Sequence, residues 1–142
     1  GEPPWEFCYI SDVVTETIDS LRPLAEAEGG TITAEVEPEI LCRCGERLLS
    51  RLVATLVENA VKHGMTNNSE PLKICIAAKV RDGGLVVEVA NTGRLDTQAN
   101  GGGTQIGLRN VRERLAKLYP DKSSFSLRQD GVWIRATIEL VD

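Results

Sequence analysis

Histidine occurs only once in this chain of 142 residues, at His63. No nucleophile motif pairs with it, so a nucleophile–histidine hydrolase has no support. The four cysteines, Cys8, Cys42, Cys44 and Cys75, form one C-x-C and match no common zinc spacing. Reduced thiols in a cytosolic domain are expected instead. No apolar run approaches the roughly 20 residues needed to cross a bilayer. The start, Gly1-Glu2-Pro3-Pro4, is polar and acidic, so no signal peptide is expected. A basic excess is missing too: the net charge of -5 argues against a nucleic-acid partner. No Gly-Lys-Ser/Thr occurs, and Gly101, Gly103 and Gly107 are spaced wrongly for a dinucleotide fingerprint. No internal repeat or domain linker interrupts the chain, and its length suits one domain with a real core.

Hydrophobic content of 42% and charged content of 26% are ordinary for a globular domain. The charge is uneven. Residues 1–46 hold 11 acids and 2 bases, whereas residues 47–142 hold 10 acids and 14 bases. An anionic ligand would prefer the second part, although two solvated faces of opposite sign account for the same numbers.

Periodicity predicts the elements. Ser11 or Asp12 can cap a helix running to about Glu28, with Val14, Ile18, Leu21 and Ala25 as its stripe, Pro23 as a kink and Gly29-Gly30 as its end. Thr31 to Glu37 alternates as a strand, and Ile40 to Cys42 reads as a short second one. The long helix runs from Gly45 to His63. Its face, Leu48, Leu49, Leu52, Val53, Leu56, Val57, Ala60 and Val61, is wide enough to be deeply packed, and Gly64 is a plausible cap. Leu72 to Val80 and Leu85 to Asn91 alternate around an Asp82-Gly83-Gly84 turn. Thr92 to Thr104 is a polar, glycine-rich loop. A helix follows from about Ile106 to Tyr119, ended by Pro120, and a last hairpin turns at Asp130-Gly131. Each strand has one apolar and one polar face. The expected fold class is therefore α/β: a two-layer sandwich of one mixed β-sheet with helices packed on one face.

Three polar features interrupt this pattern. Asn59, Lys62 and His63 share one face of the long helix at i, i+3 and i+4, beside the buried stripe, which suits a metal and a phosphate. Asn91 continues the covered phase of Val87 and Val89, and a polar group at the end of a buried row needs a partner or a ligand. The loop through Gly101, Gly102 and Gly103 exposes backbone N–H groups at a helix N-terminus, an arrangement that binds phosphate. A glycine-rich loop alone fits a flexible linker equally well.

Together these stretches resemble the ATP-binding catalytic domain of bacterial sensor histidine kinases, in the gyrase, Hsp90, histidine kinase and MutL fold group with its Bergerat-type ATP-binding fold. Leu56-Val57-Glu58-Asn59-Ala60-Val61-Lys62-His63-Gly64 looks like the family's N box, and Val89-Ala90-Asn91-Thr92-Gly93 like its G1 box. The run from Gly103 to Leu115 looks like the G2 box and the helix after it. The wording is closest to kinases that partner LytTR-type response regulators. The resemblance implies a histidine kinase-like domain over residues 11–142, with residues 1–10 as a lead-in from an upstream segment. It implies ATP and Mg²⁺ as cofactors, with Asn59 on the Mg²⁺ and Lys62 and His63 near the phosphates. Asn91 would stand in for the aspartate that reads the adenine amino group, and Gly93 would pass under the base. Residues from about Leu95 to Thr104 would form a lid, with Gly101, Gly103, Thr104, Gly107 and Leu108 against the nucleotide.

The departures shape the functional expectation. The hydrolytic members carry a general base four residues before the metal asparagine, where this chain has Thr55, so independent hydrolysis is not expected. Glu58 is adjacent to Asn59. It remains a candidate catalytic residue, but its i, i+4 spacing to Lys62 equally permits a surface ion pair. Gln105 replaces a family glycine. No acceptor histidine is available outside the N box. The nucleophile would come from a dimerisation segment elsewhere in a parent kinase, which suits phosphoryl transfer, where placement and charge stabilisation do most of the work. The phosphate would then pass to a response regulator. The expected setting is cytoplasmic, in a membrane-anchored parent, with no membrane contact by this domain. Two other readings stay open: a degenerate nucleotide-binding sensor module, and a serine kinase of the anti-sigma-factor type.

Overall fold

The computed structural model describes residues 7–43, 45–66, 71–82, 84–93 and 102–141, without the side chains of 7, 8, 42, 43, 63–66, 102–107 and 118. In chain order the elements are β1 (Phe7–Tyr9), α1 (Ile10–Ala27), β2 (Thr31–Val36), β3 (Leu41–Arg43), α2 (Glu46–Thr66), β4 (Lys73–Arg81), β5 (Gly84–Thr92), α3 (Gly102–Leu118), β6 (Ser123–Asp130) and β7 (Trp133–Leu140). Five strands form one mixed sheet in the order β2-β4-β5-β7-β6, in which only β2 and β4 run parallel. The α/β sandwich with one mixed sheet is the architecture expected from the alternating strands and striped helices.

The covered face is built from matched rows. Ile76 pairs with Val89 and Val89 with Ala136; Ala78 pairs with Val87 and Val87 with Ile138. All six are buried. The stripe of α2, from Leu49 and Leu52 to Ala60 and Val61, and that of α1, with Val14, Ile18 and Ala25, join the same core. Period 2 on the strands and period 3.6 on the helices thus present two apolar surfaces that exclude water together. The opposite face carries Lys79, Glu88, Arg135 and Glu139, none of them buried, so the sheet is covered on one side only.

Helix ends follow local chemistry. Gly29 has φ +78°; its N–H donates to Glu26 O, and the Gly30 N–H donates to Ala25 O. Those two bonds make a Schellman motif, which only a residue tolerant of positive φ completes without strain. The start of α1 differs from expectation. Ser11 and Asp12 lie inside the first turn, and the N-cap residue Tyr9 makes no side-chain cap. The Ile10 N–H, at the first helical position, donates to Ile40 O at 2.7 Å, so tertiary pairing satisfies one of the amides that the helix cannot pair internally. Pro23 is accommodated within α1. α2 continues past Gly64 to Thr66, because a glycine weakens a helix by about 1 kcal/mol and does not oblige it to stop. α3 begins at Gly102, four residues before the expected Ile106.

Two further differences concern strands. The lead-in residues Phe7–Tyr9 form β1, which pairs antiparallel with β3 in a separate two-stranded sheet. Val80 keeps the inward phase of β4 yet is 52% exposed, since period fixes the face and not how far the covering layer extends.

Gly84 opens β5 where the end of β7 passes closely. A Cβ there would overlap the Leu140 carbonyl oxygen and press on the Val141 Cα at 3.3 Å. Gly84→Ala is therefore expected to destabilise the fold by about 1–3 kcal/mol, the usual scale of overpacking. Urea unfolding measures it, and an unchanged midpoint would show that the β7 backbone yields without cost.

Candidate functional site

Asn59 lies near the end of α2 at the margin of its buried stripe, half-buried, while Glu58 and Lys62 are exposed. One turn back, the Thr55 hydroxyl donates to Arg51 O at 2.9 Å, within the helix. Glu58 makes no ion pair among the described residues, so the surface pair with Lys62 that its spacing permits is not formed there. Two exposed side chains at that spacing gain only about 0.3–0.5 kcal/mol, too little to hold them together. The side chain of His63 lies outside the described residues.

Asn91 ends the inner row of β5, paired with Ile74 on one side and Ile134 on the other, and is 4% exposed. Its Nδ2 donates to Thr92 O at 3.0 Å. A carbonyl only accepts, so this bond assigns the amide orientation and turns Oδ1 the other way. Oδ1 accepts no hydrogen bond among the described residues, yet no described side-chain N or O is both sealed from solvent and unpartnered. Among the described residues the oxygen is therefore not sealed off, and it remains an available acceptor in apolar surroundings.

The backbone beyond Asn91 is tied down from several directions. The Thr92 hydroxyl accepts from the Lys73 N–H at 3.0 Å and donates to Pro71 O at 3.4 Å, clamping the entry of β4. Gly93 has φ +151°, and its N–H donates to Val132 O at 3.0 Å. Gln129 Nε2 donates to Gly93 O at 3.0 Å and also contacts Gly131 O and Trp133 O. Neither the Thr92 clamp nor the Gln129 contacts were expected from sequence. The available signals were the threonine beside Asn91 and a polar residue in the inward phase of β6.

Of the expected lid from Leu95 to Thr104, residues 95–101, Gly101 among them, lie outside the described residues, and the backbone of 102–104 already belongs to α3. The backbone of Gly103, Thr104 and Gly107 is helical within α3, and Leu108 is half-buried. The C-terminal end of α3 ties in its neighbours: the Gly45 N–H preceding α2 donates to the Tyr119 hydroxyl at 3.4 Å, and the Ser123 hydroxyl donates to Leu115 O and Tyr119 O. Arg112 lies over the Phe125 ring at 5.3 Å.

The open sheet face has its own electrostatics. Arg135 donates to Asp130 and Glu88, each at 2.7 Å, and Thr137 donates to the second Glu88 oxygen. The hydrogen bond to Arg135 holds the Asp130 carboxyl below the usual range, and the bonds to Asp130 and Glu88 raise Arg135. A hollow of about 300 Å³ sits on this face beside Lys79, Glu88 and Arg128, and a groove of about 790 Å³ runs between α1 and α2 beside Thr17, Arg47 and Ser50. Neither includes Asn59 or Asn91, so neither belongs to the candidate site.

No protein-family model matches the chain, and no curated protein sequence matches it. Solved structures do. The nucleotide-free catalytic domain of histidine kinase ThkA superposes with a TM-score of 0.80 at 13% identity, over 96% of this chain and 96% of that one. Histidine kinase AdeS of Acinetobacter baumannii gives 0.77 at 16% identity, over 96% of this chain and 66% of that chain. Full-length ShkA in complex with AMPPNP gives 0.74 at 19% identity, over 99% of this chain but 32% of ShkA. ThkA has also been solved in complex with the response regulator protein TrrA. The chain thus has the fold of a histidine kinase catalytic domain.

Two outcomes are expected from this geometry. Thr92→Val leaves the Lys73 N–H without its acceptor and should cost about 1 kcal/mol in chemical unfolding, with Thr92→Ser restoring most of it. For Asp130, a depressed carboxyl contributes stability above the ordinary aspartate range and loses it as pH falls through the lowered value. Because Asp130 is exposed the contribution is small. In Arg135→Leu, the Asp130 titration followed by carbon-13 NMR should move back up; an unmoved midpoint would remove Arg135 as its cause.

Proposed function

We propose that this chain is the ATP- and Mg²⁺-binding catalytic domain of a two-component sensor histidine kinase. The observation that carries the reading is Asn91: a buried amide at the end of an apolar row, its oxygen accepting no hydrogen bond among the described residues, on the fold of a histidine kinase catalytic domain. An oriented acceptor in apolar surroundings suits the exocyclic amine of adenine. Asn59 would contribute one oxygen to Mg²⁺. Among the described residues no cluster of three metal-ligating side chains exists. That is compatible with Mg²⁺, which keeps several waters and takes one or two protein oxygens beside substrate phosphates. Bound there, the ion would neutralise charge on the phosphates. Lys62 and His63 would lie along the phosphates, and Gly93 under the base. Residues 95–104, with Gly101, would form the lid, and Gly103, Thr104 and Gly107 would cradle the phosphates, with Leu108 against the nucleotide. Glu58 has the least support of the assigned catalytic residues, being exposed and without an ion pair among the described residues.

The acceptor histidine would belong to a dimerisation segment of the parent, and the phosphate would pass to a response regulator, of LytTR type by the wording of the N and G2 boxes. No helix of the described residues is long and apolar enough to cross a membrane. The domain would work on the cytoplasmic side of a membrane-anchored parent, without membrane contact of its own. A neutral amide in place of an aspartate favours one second reading, a nucleotide-holding module without transfer.

Calorimetry tests the first reading. ATP should bind with an affinity raised by Mg²⁺, and Asn59→Leu should remove that increment while leaving the metal-free affinity near wild type. Absence of binding heat with and without Mg²⁺ would sink both readings. Labelling of the parent kinase by γ-labelled ATP separates a kinase from a holding module.

A further inference from the structure

We propose that Gln129 is a positioning residue for the base site, acting through the backbone of Gly93; the inference rests on the nucleotide reading above. Asn91 pairs with Ile134 and Ile134 with Gln129, so the two polar residues belong to one cross-strand row of the inner face. At two strand spacings they are about 10 Å apart. Phe125 and Leu127, which share the phase of Gln129 on β6, pack against the core, whereas Gln129 is exposed. Its Nε2 lies 3.0 Å from Gly93 O, 3.0 Å from Gly131 O and 3.2 Å from Trp133 O. Three carbonyls around one nitrogen accept only a donor, and the two amide hydrogens are shared among them.

The contact is relayed directly to Asn91. The Thr92 carbonyl and the Gly93 N–H belong to one peptide unit. Its oxygen accepts from Asn91 Nδ2 and its N–H donates to Val132 O. Gln129 holds the next carbonyl, that of Gly93, so the β6–β7 hairpin grips the glycine from both sides. With φ at +151°, Gly93 can rotate more freely than any side-chain-bearing residue. Held at its N–H by Val132 O and at its carbonyl by Gln129, Gly93 loses much of that freedom, and the Thr92–Gly93 peptide that orients the Asn91 amide is steadied.

The test compares wild type with Gln129→Glu, which keeps the shape but cannot donate when ionised, and with Gln129→Ala, which keeps the question open if the acidic variant fails to fold. Both are titrated with Mg-ATP and with Mg-tripolyphosphate, which lacks a base. ATP affinity should fall about tenfold, the scale of one lost hydrogen bond, while tripolyphosphate affinity stays at the wild-type value. Hydrogen exchange at the Gly93 N–H should quicken in both variants, with Ile76 and Val87 unchanged. Equal losses for both ligands would reduce Gln129 to a general structural role and overturn the proposal. So would unchanged ATP affinity in both variants. If wild type itself binds no ATP, the nucleotide reading falls, and this inference with it.

Discussion

The apolar seam between the inner rows of the sheet and the stripes of α1 and α2 is the constraint on which the remaining features depend. Val53 and Val57 of α2, Ile76 of β4, Val87 of β5 and Ile138 of β7 are fully enclosed. A one-residue slip of β5 would send Leu85, Val87 and Val89 to the solvent face and bring Glu88 inward. Register is therefore strongly specified. With it comes the depth of Asn91, which follows Val89 in the same phase and inherits an environment suited to an apolar side chain. The candidate site is thus the polar end of the core, and not a pocket added to its surface.

This explains which parts were legible in sequence. Strong periods over many residues mark α2, β5 and β7, and Asn91 was readable because it breaks an alternation that predicts burial. Pairings between distant segments were not readable in the same way. β1 is three residues long, too short to show a period, and exists through its ladder with β3. The start of α1 differs because Ser11 and Asp12 satisfy the local capping rule, while the helix begins earlier, where Ile10 pairs with Ile40 from thirty residues away. Gln129 makes its contacts with backbone carbonyls, which carry no sequence signature. The candidate helix face was legible as a set of residue types on α2, but spacing alone did not decide whether Glu58 pairs with Lys62, because surface charges at that spacing are worth little.

The two faces of the sheet divide the labour. The inner face combines core and candidate site; the outer face holds the Arg135 network linking Glu88, Asp130 and Thr137 across β5, β6 and β7. Arg135 also lies over the Trp133 ring at 5.9 Å, which accounts for that aromatic without a docking partner. Trp133 and Arg135 flank Ile134 on β7, so the outer network and the Asn91 row meet at one strand. Glu88 and Asp130 share one guanidinium, which offsets part of the like-charge repulsion on an open polar surface.

The amide at position 91 is consistent with its own surroundings. A carboxylate there would face the Thr92 carbonyl oxygen across the same 3.0 Å now spanned by an N–H···O bond, setting two acceptors against each other. It would also place a charge where exposure is 4%. Burying an unpaired ion costs several kcal/mol more than burying an amide that keeps one hydrogen bond. Asparagine resolves both: its NH₂ satisfies the carbonyl, its oxygen remains an acceptor, and no charge needs compensation before a ligand arrives. The neutral residue gives up the stronger, charge-assisted hydrogen bond that an aspartate offers. In exchange the acceptor is pre-oriented, so less freedom is lost on binding. For a ligand bound there, the firmness of the Thr92–Gly93 peptide would set how much of that exchange is recovered, and the β6–β7 hairpin bonds Gly93 at both its N–H and its carbonyl.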